Sequence, residues 1–111
     1  MNIEILYFEG CPNHGPALQR VRELLKGEGL FAEILEIQIS DPASAHEIGF
    51  LGSPSVRVNG LDVEPKARTA HEYGKMCRTY VSDAGREGLP FREVIRRALR
   101  EAESQILSQT P

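Results

Sequence analysis

No apolar run in the 111-residue chain approaches the roughly 20 residues needed to cross a bilayer, so a membrane-spanning helix is not expected. The opening MNIEILYFEG has neither the basic region nor the long apolar stretch of a secretion signal, which makes the cytoplasm the expected location. Positive charge is not in excess. The 13 Lys and Arg against 16 Asp and Glu give a formal net charge of -3, which leaves no electrostatic footprint for nucleic acid, and no lysine-rich tract suits a membrane surface. Internal repeats and low-complexity tracts are missing as well. Cysteine occurs only as Cys11 and Cys77, and a reducing cytosol keeps such thiols free. A structural disulfide is therefore the weaker reading, unless the pair cycles during function.

What remains is an ordinary globular composition, 41% hydrophobic and 26% charged, in a chain of one-domain length. A chain of this size hides roughly two thirds of its unfolded surface, enough for one core without obligatory staples. Residues 3 to 8, IEILYF, read as a strand ended by Gly10. GPALQRVRELLKGEG places Leu18, Val21, Leu24 and Leu25 at helical spacing, with Gly27 and Gly29 as stop signals. In EILEIQIS, residues 33 to 40, Leu35, Ile37 and Ile39 share one face of a second strand, with Glu36 and Gln38 between them. Asp41 then offers an N-cap and Pro42 a first helical residue for a short helix.

SVRVNG puts Val56 and Val58 on one face of a third strand, and Asn59-Gly60 is a hairpin signal because both residues tolerate positive φ. The return is ambiguous: LDVE can pair at once, or the chain can detour through residues 62 to 76 and pair through CRTYV. The second route is the expected main strand. Residues 82 to 90 are expected to be a loop, with Pro90 at the start of a last helix whose apolar stripe is Phe91, Val94, Ile95, Ala98, Leu99 and Ala102. The order β, α, β, α, β, β, α predicts an α/β domain over residues 1–111, with a mixed sheet of about four strands flanked by helices. The first two strands are expected to be parallel with a right-handed crossover. Residues 62–76 form a long connection and 105–111 a C-terminal tail.

The element order, a cysteine at the mouth of the first helix and a Ser-Pro before the third strand together resemble the thioredoxin-like fold. The segments GSPSVRVNGLDVEP and CRTY also look like small stand-alone bacterial proteins of that fold, sometimes labelled alkylmercury lyase-like. In the family a Cys-x-x-Cys opens the first helix and a cis proline precedes the strand opposite it. Here the matching positions are Cys11-Pro12-Asn13-His14 and Ser53-Pro54. The resemblance implies a reactive Cys11 and a cis Pro54, with His14 in the place of the second cysteine. A mixed disulfide on Cys11 would then be resolved by an outside thiol or by Cys77.

A thiolate is the reactive form of cysteine, and the unpaired N–H groups and dipole at a helix start stabilise it. Cys11 is placed to use both, Pro12 presets the first turn, and His14 lies one turn on, as an imidazolium favouring thiolate or as a neutral base or ligand. The plainer readings are a buried thiol for Cys11, a helix-start residue contacting backbone for His14, an ordinary turn for Ser53-Pro54 and a core thiol for Cys77. Backbone beside Pro54 can instead hydrogen-bond an extended peptide as an added strand. Cys11, His14 and Cys77 also form a candidate soft ligand set for zinc, copper(I) or mercury, although Cys-x-x-His without a second close pair is poor evidence for structural zinc.

His46 and His71 read as solvent-facing, and Tyr7, Tyr73 and Tyr80 as core or rim. Arg92, Arg96, Arg97 and Arg100 with Glu93 and Glu101 form a salt-laced helix face. The leading expectation is thiol–disulfide exchange through Cys11, aided by His14 and Cys77, with Pro12, Ser53 and Pro54 shaping the docking surface and no cofactor. The alternative is a non-catalytic module that binds a soft metal or a peptide, and a third reading is a scaffold with an inert thiol. Expected partners are a protein or a low-molecular-weight thiol or disulfide, with a second copy of the chain as a further candidate, and neither nucleic acid nor membrane.

Overall fold

The computed structural model describes residues 1–83 and 85–108. The elements are β1 (Asn2–Tyr7), α1 (His14–Glu28), β2 (Glu33–Gln38), α2 (Pro42–Ile48), β3 (Ser55–Val58), β4 (Leu61–Asp62), a 3-10 helix (Pro65–Thr69), β5 (Tyr80–Ser82), β6 (Gly85–Glu87) and α3 (Arg92–Ser108). The main sheet is mixed, in the order β2-β1-β3-β4, with β1 and β2 parallel across α1 and β3 antiparallel to both β1 and β4. No helix among the described residues is long and apolar enough to cross a membrane.

Alternation in the strands divides the core in two. Ile3 and Ile5 of β1 and Val56 and Val58 of β3 face Val21, Leu24 and Leu25 of α1 and Ile95, Ala98 and Leu99 of α3. On the opposite face Leu6 meets Ile39, Ala45 and Phe50 beside α2. Of the stripe read for the last helix, Ile95, Ala98, Leu99 and Ala102 are buried as expected, whereas Val94 is half-buried and Phe91, also half-buried, precedes α3; Leu35, at the edge strand β2, is 51% exposed despite sharing a face with Ile37 and Ile39. Asp41 caps α2 by accepting from Ser44 N–H at 2.8 Å, and that bond holds its carboxyl below the usual range. At the other end of α2, Arg57 donates to the carbonyls of Ile48 and Gly49 at 2.7 and 2.9 Å.

Three expectations are corrected. The chain does not detour to find its fourth strand: Leu61 and Asp62 pair with Val58 and Arg57 directly after Asn59-Gly60, because the positive φ of both turn residues closes a tight hairpin. CRTYV is not a strand of the main sheet; Tyr80–Ser82 pairs instead with Gly85–Glu87, inside the stretch expected to be a loop. The last helix runs through Ser108, so only residues 109–111 of the expected tail, together with Ala84, lie outside the described residues.

The charged face of α3 is ion-paired as expected. Glu93 reaches Arg96 at 2.6 Å and Arg97 at 3.4 Å, while Arg92 and Arg100 cross to Glu23 and Glu28 of α1 at 2.8 and 2.6 Å. Hydrogen bonds from these arginines hold the three glutamates below the usual carboxylate range. Exposed pairs of this kind contribute little stability.

Candidate functional site

The register of β1 against β3 places the site. Leu6 pairs with Ser55, and two further residues along each strand set Phe8 opposite Ser53. Phe8 N–H donates to Ser53 Oγ at 3.3 Å, and its carbonyl accepts from Cys11 N–H at 3.2 Å. Gly10, at φ 86°, supplies the left-handed residue that folds Cys11 back onto Phe8. Cys11 lies two residues before the N-cap Asn13, and its carbonyl accepts from His14 N–H at 3.4 Å. Pro12 therefore precedes the helix rather than opening its first turn, which corrects that expectation. The Cys11 side chain is half-buried and not part of the core.

His14 is held from two sides. Nε2 is 2.6 Å from Glu36 Oε1, and the ring stacks on Tyr7 with centroids 3.6 Å apart and planes 5° from parallel. Tyr7 follows Ile3 and Ile5 on the face toward α1, and Glu36 joins them because it pairs with Ile5. Among the described residues, no hydrogen bond joins His14 to the Cys11 thiol; the ring is committed to Glu36 and Tyr7. Glu36 is the residue that reading the strand alone missed, since alternation marks it as polar without saying that a helix-borne imidazole faces it.

The Ser53-Pro54 peptide bond is cis, and both residues are buried. Ser53 and Cys77 form a parallel bridge, in which Ser53 N–H donates to Met76 O at 2.8 Å and Ser53 O accepts from Arg78 N–H at 3.0 Å. The backbone expected to receive an extended peptide is thus already paired with residues 76–78 of the same chain. Cys77 is exposed, which overturns its reading as a core thiol; both cysteines are free.

Next to Cys77 lies a buried ionic cluster. Arg78 donates to both carboxylate oxygens of Asp62 at 2.6 and 3.0 Å, to Glu64 at 2.9 Å and to Ser55 Oγ at 3.1 Å. Its guanidinium also sits 4.5 Å from the centroid of the Tyr80 ring, and the Tyr80 hydroxyl donates to Pro54 O at 2.5 Å. Burial opposes the charge on Arg78, but the hydrogen bonds it donates to the Asp62 and Glu64 carboxylates outweigh it and hold its pKa above the ordinary value. Gly52 makes the approach feasible: it lies at φ 118°, and a Cβ there would stand 2.9 Å from Arg78 Cβ.

Burial pushes the Tyr80 phenol well up, with the nearby Arg78 charge opposing the shift. The folded state therefore holds that proton more tightly than the unfolded chain does, so this contribution is complete below the unfolded value of about 10 and is lost as pH rises beyond it. Stability is expected to fall with pH above about 10, and to fall less steeply in Tyr80→Phe. Equal slopes in denaturant titrations across that range would remove Tyr80 as the cause.

His46 and His71 are exposed as expected, and flank the Tyr73 ring edge-on at 6.0 and 6.1 Å between centroids. Among the described residues no three His, Cys, Asp or Glu side chains converge to hold a metal ion, so Cys11, His14 and Cys77 do not assemble as a ligand set. No family model, curated protein or solved structure matches the chain.

Proposed function

We propose that this chain is a thiol–disulfide exchange protein of the thioredoxin-like fold, in one domain and a reducing compartment, with Cys11 as its nucleophile. The observation that carries this reading is the double role of Phe8, which hydrogen-bonds Ser53 through its N–H and Cys11 through its carbonyl. One residue thereby couples the cysteine turn to the Ser53-Pro54 loop, and the mixed sheet order β2-β1-β3-β4 is compatible with the fold. In the exchange step the Cys11 thiolate attacks one sulfur of a disulfide R–S–S–R′, forms Cys11–S–S–R and expels R′–S⁻, which takes up a proton.

His14 is a positioning residue in this reading. Its ring is clamped by Tyr7 and Glu36, and its N–H holds the Cys11 carbonyl, so the start of α1 and the cysteine turn move together. Cys11 is thereby fixed in the half-buried turn that leads into α1, two residues before the N-cap Asn13.

The test compares the two single-cysteine proteins. If exposure alone governed reactivity, the exposed Cys77 would react faster than the half-buried Cys11. The expected result is the reverse: with a low-molecular-weight disulfide at neutral pH, Cys77→Ser forms its adduct faster than Cys11→Ser, by on the order of tenfold. Equal rates, or a faster Cys77, would contradict an activated Cys11.

A further inference from the structure

We infer that the cleft between the end of α2, the β3–β4 hairpin and the 3-10 helix is a binding site for a small organic carboxylate, recognised by Arg57, Arg68 and Tyr73. The inference stands apart from the reading of Cys11. The cleft has a volume of about 230 Å³, and its walls combine these three polar side chains with the aliphatic Ile48, Leu51 and Ala67. Pockets for drug-sized molecules run to roughly 300–1,000 Å³, so this space suits one acid group on a short body.

Arg57 is a half-buried cation whose strand neighbours leave it without a counter-charge. Strand pairing sets it between Glu4 of β1 and Asp62 of β4. Neither neutralises it: among the described residues no ion pair joins Arg57 to Glu4, and both carboxylate oxygens of Asp62 are taken by Arg78. Its bonds to the Ile48 and Gly49 carbonyls come from Nη2 alone, which leaves Nε and Nη1 as donors. Among the described residues no buried side-chain nitrogen or oxygen lacks a partner, so these remaining donors of Arg57 lie open to solvent. A carboxylate entering the cleft meets them without displacing an ion pair.

Two further groups share the space. A Cβ on Gly49 would stand 3.4 Å from Tyr73 Cε1 and 3.6 Å from Arg57 Nη2, so the phenol ring and the guanidinium flank one point of the backbone. The Tyr73 hydroxyl is 3.2 Å from His71 Nδ1, and it is free to donate to a ligand when that nitrogen carries the proton. Arg68 donates from Nε to Asp62 O at 2.8 Å, which fixes a second guanidinium at the strand that pairs with Arg57. Its partner Glu101, at 3.1 Å, is 46% exposed, so solvent weakens that pairing. Two guanidinium groups on one small cleft repel each other, and an anion between them relieves the repulsion. The aliphatic walls favour a ligand whose remainder is apolar, which selects an alkyl carboxylate over inorganic phosphate.

The experiment titrates the isotope-labelled full-length protein with sodium butyrate at neutral pH and constant ionic strength, and follows backbone amide shifts by NMR. Butyramide and inorganic phosphate are titrated separately. Butyrate should give saturable shifts at Gly49, Leu51, Gly60 and Tyr73. Butyramide has nearly the same shape without the charge, phosphate has charge without the alkyl body, and each should bind at least about tenfold more weakly. Arg57→Gln should weaken butyrate binding by about tenfold. Because Arg57 also caps α2, Arg68→Gln is measured beside it with a loss of the same direction expected, and the comparison with butyramide needs no variant. No saturable shift at those amides, butyramide binding as tightly as butyrate, or butyrate affinity unchanged in Arg57→Gln and Arg68→Gln would each overturn the site. Phosphate binding as tightly as butyrate would overturn the alkyl carboxylate as its ligand.

Discussion

Arg78→Ala is expected to lower stability by about 3–5 kcal/mol, a large part of the 5–15 kcal/mol typical of a small domain. Removing the guanidinium leaves Asp62, 5% exposed, without the cation that meets both its oxygens, and leaves Ser55 and Glu64 without their donor. The lost contact is only part of the cost, because an unpaired charge in a poorly solvated place is itself unfavourable. Arg78→Lys should recover only part of it, since an ammonium cannot reproduce a planar fork bonded to both oxygens of one carboxylate. Arg78→Met combined with Asp62→Leu should be more stable than Arg78→Ala alone, because it removes the buried Asp62 carboxylate that Arg78→Ala leaves unpaired. Urea titration of the four proteins checks this; an Arg78→Ala protein within about 0.5 kcal/mol of wild type would show that the cluster is not what ties residues 76–80 to the sheet.

The same cluster explains where reading the chain stopped short. β1, α1 and β3 were legible because each buries a periodic set of apolar residues, β2 because its apolar and polar residues alternate, and α1, α2 and β3 because a local signal bounds them: Gly29 after α1, Asp41 and Pro42 at the start of α2, Asn59-Gly60 after β3. The fourth strand lacks such a set. It is two residues long, and one of them is a buried carboxylate whose partner lies sixteen positions away. An ion pair between distant segments leaves no periodicity behind, so nothing in the sequence ranks Leu61–Asp62 above CRTYV as the fourth strand. Arg78 instead holds that segment beside the Ser53 loop. β6 was hidden for a related reason, since Gly85–Glu87 contains no apolar residue to mark an inward face.

At the site, the individual residues were more legible than their relationships. Cys11, His14, Ser53, Pro54 and Cys77 stand out by residue type and position. That His14 turns to Glu36 rather than to sulfur follows from the β1–β2 register, which brings Ile5 beside Glu36 on the face toward α1. That Cys77 meets Ser53 depends on Gly52, whose positive φ and missing side chain admit Arg78 at a distance no alanine would allow.

The largest functional effect expected is the loss of activity in Cys11→Ser. An alcohol at neutral pH is almost wholly protonated and a far weaker nucleophile toward sulfur, so no compensating group in the site can take over the attack. The most direct measurement is therefore the protein-catalysed exchange between a low-molecular-weight thiol and a different low-molecular-weight disulfide, followed by the appearance of the mixed product. Wild type should accelerate it and Cys11→Ser should return it to the background rate of the two reagents alone; a Cys11→Ser protein that keeps the wild-type rate would contradict the account.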